Sequence, residues 1–365
     1  EVRQVLTGTV VVNTFNDLPD ADPFDGVADA DLVTAGLQIS LRAAVMHANA
    51  TPGLETIVLS AGTYQLTIDS NGENNSETGD LDLFSDIESI GAGSLNTTIE
   101  MGLAGGIGPA IQDRVFDIFG TSKVLIQGVK IQNGQTFGFG EDGGGVRANS
   151  DVELRNVILT NNQSDQRGGG LSVGFVGSAT LVGSTVTSNS AVLSGGGILA
   201  QGTLKVYDSS VTNNTTSANG GGIASSGSLE VIRSLIQENV ANSNGGGIDL
   251  NSGSATIIGS TIKSNVATNG RGGGLNLSAS GVSDSMPGNI SANIQFSELA
   301  DNTAQNGGGI LMNSSGMLSL LNTTLAGNTA TGTATVGGQA GGLLQLRGNT
   351  VVSDSTFSGN SATSQ

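Results

Sequence analysis

The 365-residue chain has no cysteine, no tryptophan, one histidine and five prolines. Without cysteine, no disulfide can staple the fold, and no thiolate is available as nucleophile or metal ligand. No run of 18 apolar residues occurs, so no hydrophobic helix of membrane-spanning length is encoded. Basic residues are scarce too: 13 Lys and Arg stand against 31 Asp and Glu, a net charge of −18. The imbalance is concentrated at the front, where residues 1–100 hold 16 acids against Arg3 and Arg42 while the remainder holds 15 acids and 11 bases. Such a body repels phosphate backbones and anionic lipid surfaces, which excludes nucleic acid as a natural partner. Two tyrosines and ten phenylalanines leave few aromatic platforms for stacking on sugars.

Glycine, by contrast, is abundant, at 58 residues, and it is regularly placed. Gly-Gly-Gly triplets begin at Gly143, Gly168, Gly195, Gly220, Gly245, Gly272 and Gly307, spaced 25, 27, 25, 25, 27 and 35 apart, with a degenerate copy at Ala340. Each triplet is followed by an aliphatic residue, such as Ile198, Ile223 or Ile248. A second marker precedes the triplets: Asn189, Asn214, Asn239, Asn265, Asn302 and Asn328 recur within "STVTSNSA", "SLIQENVA" and related stretches. Segments between the markers, for example "GTLKVYDS" (202–209), alternate with a period of two and so read as strands.

A unit of about 25 residues with three short strands and no helical period is one turn of a right-handed parallel β-helix. A propeller blade needs about 40 residues and four strands, and an α-solenoid needs a helical period; neither fits. Equivalent residues in stacked turns then sit roughly 4.8 Å apart, so aliphatics form ladders inside the tube. Asn and Ser at fixed positions are expected to bond from turn to turn. The chain divides into a strand-like extension (1–8), an N-terminal cap region with the first turns (9–100) and the repetitive helix (101–365). In the cap region "SLRAAVMHANATPG" (40–53) predicts one amphipathic helix, with Ser40 as N-cap and Leu41, Ala44, Val45 and Ala48 on its apolar face. Such a helix would cover the otherwise open first turn.

The cap stretch, with Ile39-Ser40-Leu41-Arg42-Ala43-Ala44, resembles the N-terminal region of bacterial surface β-helix proteins named after a Cys-Ser-Leu-Arg-Glu-Ala sequence; Ser, Leu, Arg and the last Ala match, while Cys and Glu do not. The repeats resemble the GGA-[IL] and F-x-x-N repeats of polymorphic outer-membrane adhesins, with Phe357-Ser358-Gly359-Asn360 as a full F-x-x-N match. The resemblance implies an exported surface protein. Glu1 in place of an initiator Met agrees with removal of a signal peptide, and an extracellular or cell-surface location is expected.

Two kinds of site are expected. Asp17, Asp20, Asp22, Asp25, Asp29 and Asp31 fall within 15 residues, with Gly26 among them, and could offer a hard cation such as Ca²⁺ several oxygens. The Asp20, Asp22, Asp25, Gly26 spacing misses the EF-hand pattern by one residue. The second expectation concerns the ends: Val2, Val5 and Leu6 would add as a strand to an open terminal turn carrying Phe357, Asn360 and Gln365 of the next subunit. A head-to-tail contact that does not close makes a fibre. With carboxylates thin in the repeats and no shared acidic patch, the chain reads as a non-enzymatic, self-assembling extracellular protein. A surface adhesin contacting cell-surface glycans is the alternative, and a polysaccharide lyase or hydrolase the third reading.

Overall fold

The computed structural model describes residues 8–69, 74–106, 110–279, 289–333 and 337–363. From Gly8 onward the chain coils as an all-β parallel helix with four parallel sheets and one α-helix among the described residues. In one turn the strand Ile198–Ala200 lies in sheet 1, Thr203–Tyr207 in sheet 2, Ser210–Thr212 in sheet 3 and Thr215–Thr216 in sheet 4, after which Gly220 opens the next turn. The fourth, two-residue strand adds to the three strands per turn expected from the repeat. Pairing joins equivalent residues 25 apart, as in Leu204 with Leu229 and Val206 with Val231.

The core follows from alternation. Leu204, Val206, Leu229, Val231 and Ile257 point inward from sheet 2, Val211, Ile236 and Ile262 from sheet 3, and Ile198, Ile223 and Ile248 from sheet 1; all are essentially buried. At about 25 cal/mol per Å² of apolar surface, each buried aliphatic contributes roughly 2 kcal/mol. The corners need a left-handed backbone, and several are taken by residues with side chains: Asp208 and Arg233 after sheet 2, Asn213 and Glu238 after sheet 3, with φ between 48° and 56°.

The triplets are steric requirements. The first glycine adopts positive φ (64° at Gly195 and at Gly245). A Cβ on the second would stand 2.3 Å from the Thr215 carbonyl oxygen at Gly196, and one on the third 2.7 Å from the Gly222 carbonyl oxygen at Gly197. No side chain fits where neighbouring turns approach so closely. Beneath the third glycine runs the asparagine ladder. Asn214 donates its backbone N–H and its Nδ2 to Oδ1 of Asn239, both at 3.0 Å, and Nδ2 also reaches the Val186 carbonyl at 3.0 Å. The same set repeats from Asn162 through Asn189, Asn239, Asn265, Asn302 and Asn328 to Asn360. Ser184, Ser209, Ser234, Ser260 and Ser297 form a second ladder, each hydroxyl accepting the backbone N–H of the preceding member.

At the front, Leu41–Ala50 forms the cap helix α1, with the Ser40 hydroxyl accepting the Ala43 N–H at 2.9 Å. Ala44, Val45 and Ala48 join the core, and the helix packs on the strands Leu81–Leu83 and Glu55–Val58. Arg42 is fully buried and donates to Asp17 at 2.7 Å and to the carbonyls of Ser76 and Gly79. The Ser-Leu-Arg stretch therefore has a local purpose: it caps the helix, fills the core and ties helix, acidic loop and first turn together. The strand Gly8–Val11 pairs with Glu55–Val58 of its own chain.

Candidate functional site

The middle residue of every sheet 1 strand points away from the core, yet most of these residues are buried. In order they are Asp82, Asp117, Arg147, Ser172, Leu199, Ala224, Asp249, Asn276, Leu311 and Leu344, aligned by strand register. Burial comes from the glycine bend, which folds back over the outer face of its own strand: an added Cβ at Gly245 would lie 2.7 Å from Cα and Cβ of Asp249. Two stations along this ladder carry ionisable chemistry.

The first station holds Asp80, Asp82 and Asp117, which bring one carboxylate oxygen each within 4.8 Å of one another, all buried. Arg114 threads between them, 3.1 Å from Asp80 and 3.8 Å from Asp117, and also pairs with Glu141. Arg147 donates its Nε to Asp117 at 2.9 Å. Burial, followed by the nearby Asp113 carboxylate, pushes the Asp80 carboxyl well above its ordinary range despite Arg114. Arg114 and Arg147 pair with two of these carboxylates, Asp80 and Asp117, so the station is a buried ion-pair network as it stands. The repeats of sequence that build it, "LDLF" (81–84) and "FDIF" (116–119), place their aspartates at one register position, a signal the reading of the sequence passed over.

The second station is a cleft of about 400 Å³ over sheet 1, lined by Arg167, Leu193, Ser194, Leu199, Gln201, Asn219, Ser226, Asp249 and Asn251 among others. Its two sides come from successive turns: Arg167, Ser194 and Asn219 pair with one another on the incoming side, and Gln201, Ser226 and Asn251 follow the strands on the outgoing side. Asp249, 3% exposed, accepts a hydrogen bond from Asn276 Nδ2 at 2.6 Å. Burial raises its carboxyl to about 7, against the lowering effect of Asn276. Asn276 Oδ1 is buried without a hydrogen-bond partner. A larger cavity of about 450 Å³ lies on the outer face of sheet 2, lined by Glu88, Lys123, Asp151 and Glu153. Its charges are surface charges of both signs, and no buried polar group converges on it.

The acidic loop does not gather its six carboxylates. Asp17 is held by Arg42 and by the N–H groups of Thr67 and Ile68. Asp20, Asp22, Asp25, Asp29 and Asp31 each accept the N–H two residues on, as Asx turns do. Of the proposed assembly residues, Val2, Val5, Leu6 and Gln365 lie outside the described residues. Phe357 sits opposite Leu325 in the last turn of sheet 3, 45% exposed, and Asn360 continues the asparagine ladder by accepting from Asn328 Nδ2 at 2.9 Å.

No family model matches the chain, and no curated protein matches it. Among solved structures it is similar to the A-module of the mannuronan C-5 epimerase AlgE6 of Azotobacter vinelandii, at 16% identity and a TM-score of 0.40, over 92% of this chain and 97% of that one. The expectation of a non-enzymatic protein that assembles head to tail is corrected at this point. The protein found similar is a module of an enzyme, and no observation supports a structural polymer. Physically, the described front strand Gly8–Val11 is already paired within its own chain, and the cleft lies on the side of the tube. A likeness this slight carries no activity over to the present chain.

Proposed function

We propose that the sheet 1 cleft binds an extended oligosaccharide on an exported protein. The observation that carries this reading is the lining itself: hydroxyl, amide and carboxyl groups from successive turns, one of them a buried carboxylic acid, around about 400 Å³ with Leu193 and Leu199 as apolar contacts. Groups repeating roughly every 4.8 Å along a rigid tube suit a polymer whose hydroxyls also repeat. The rigidity matters because a preformed lining loses little side-chain freedom on binding. The resemblance of the cap and repeats to exported surface proteins supports the extracellular setting. Titration calorimetry with a panel of neutral and acidic oligosaccharides tests the reading: wild-type protein is expected to bind at least one member, and Ser226→Trp, which fills the cleft from its rim, to lose that binding. Absence of binding across the panel, or binding unaffected by Ser226→Trp, overturns it.

A further inference from the structure

Asn71, Asn133, Asn219, Asn244, Asn269 and Asn306 each precede a glycine, and the first of these pairs lies outside the described residues. In such a pair the glycine nitrogen can approach the asparagine Cγ, since no Cβ stands in the way. Attack closes a succinimide ring: the new bond joins the glycine nitrogen to Cγ, that nitrogen gives up its proton, and the side-chain amino group leaves as ammonia. Water then opens the ring at one carbonyl to give aspartate or at the other to give isoaspartate. In a folded chain the reaction requires that the two groups are not held apart by other bonds.

Most of the described pairs are held. Gly220, Gly245 and Gly307 open triplets, and their N–H groups donate to carbonyls of the next turn, Asn244 at 2.9 Å, Arg271 at 3.0 Å and Gln339 at 2.8 Å. The asparagines before them are tied the same way: Oδ1 of Asn219, Asn244 and Asn306 accepts the N–H of Asn244, Arg271 and Gln339, each at 3.0 Å. Gly134 donates its N–H to Asn162 Oδ1 at 3.0 Å, and Asn133 Nδ2 donates to Glu100 at 3.2 Å. Asn269 differs. The ladder residue Asn265 stands seven positions before its triplet, where Asn189, Asn214 and Asn239 stand six before theirs and Asn302, on the next turn, only five. A bulge absorbs the surplus: Ala267 pairs with Ala304 and Arg271 with Asn306, so Thr268, Asn269 and Gly270 face Gln305 alone. Asn269 is exposed there, its Nδ2 donates to the exposed Asn242 at 2.8 Å, and its Oδ1 accepts no backbone N–H among the described residues.

We propose that Asn269 is a site of spontaneous deamidation in this protein, and that the stacking of turns protects Asn133, Asn219, Asn244 and Asn306 from the same reaction. The bulge is also where an isoaspartyl link, one methylene longer along the main chain, disturbs the fewest turn-to-turn pairs. Conversion places a new carboxylate two positions from Arg271 in the sequence. Peptide mapping by mass spectrometry, during incubation of the full chain in mildly alkaline buffer, tests the assignment. Asn269 is expected to convert at least about tenfold faster than the four protected asparagines, because those need a local opening of the stack first. In guanidinium chloride, where no turn is stacked, all five are expected to convert at similar rates. Equal rates in the native protein, or an Asn269 that stays intact while the unfolded chain reacts, overturn the assignment. A preference for Asn269 that survives in guanidinium chloride overturns the protection by stacking, since the local sequence then accounts for it.

Discussion

Replacing Asn239 by Ala measures what the asparagine ladder contributes. In the intact protein its Oδ1 accepts the backbone N–H and the Nδ2 of Asn214, each at 3.0 Å, and its own Nδ2 donates to Asn265 Oδ1 at 3.0 Å and to the Val211 carbonyl at 2.9 Å. Alanine removes all four bonds. Asn214 Nδ2 keeps the Val186 carbonyl, Asn265 Oδ1 keeps the residue 239 N–H, and the Val211 carbonyl sits in the parallel ladder with Leu235–Gln237, so one group is left orphaned in a dry interior: the Asn214 N–H. At about 1–3 kcal/mol for a buried orphan, the cost is roughly 2 kcal/mol. A stacked-repeat protein opens turn by turn, so a global unfolding midpoint reports this poorly. Amide hydrogen exchange reads it where it acts. The Asn214 amide is expected to exchange about thirtyfold faster, at about 1.4 kcal/mol per tenfold, with the effect fading within two turns on either side. Asn360→Ala, in the half-buried last turn, is expected to cost well under half as much. A change below threefold at Asn214 would refute the argument that these bonds, and not side-chain packing, hold the turns in register.

Arg114→Met removes the cation from between Asp80, Asp117 and Glu141 and is expected to destabilise the protein by about 3–5 kcal/mol at pH 8. Since burial already makes Asp80 hold its proton more readily in the fold than out of it, acidification to pH 5 should raise the variant's melting midpoint, and a fall would count against the network. Asp249 gives a pH signature of its own. Its folded value of about 7 lies above the unfolded one, so its contribution is fully present below about pH 4 and is lost as pH rises to 7. Asp249→Asn is therefore expected to be the more stable form above pH 7, by up to about 4 kcal/mol, and to lose this part of the pH dependence; parallel stability curves for the two proteins would contradict it. Gly197→Ala places a Cβ 2.7 Å from the Gly222 carbonyl oxygen and is expected to cost at least 2 kcal/mol in chemical denaturation, whereas Gly26→Ala, with open space around it, should cost only the strain of its positive φ.

The repeat was legible because a parallel β-helix writes its geometry into the chain at one period. Glycines stand where turns touch, aliphatics where side chains enter the tube, and asparagines where one ladder must bond to the next, so spacing alone located them. The cap helix was legible for a similar reason: Ser40, the apolar face and Pro52 are local signals. The corners were not. Asp208, Arg233 and Glu238 adopt the left-handed backbone although nothing in their side chains demands it, and stacking against the turns on either side enforces it.

The site was hidden for a different reason. Its ladder is the position after each aliphatic that opens a sheet 1 strand, and its chemistry runs from Asp to Arg to Ser to Leu, so beyond the shared Asp of "LDLF" and "FDIF" no motif marks it. Carboxylates as distant in sequence as Asp82 and Asp117 become neighbours only when the turns stack in register. Burial of that outer face depends on the glycine bend folding back over it, and burial is what makes Asp249 a weak acid. The acidic loop shows the converse: six aspartates crowded in sequence are dispersed by the fold, each turned to a nearby backbone amide or to Arg42. Sequence by itself determined the coil, its period and its cap, because those are repeated local demands. The tertiary structure alone decided where charge collects and which carboxyl is buried, because these depend on which turns lie side by side.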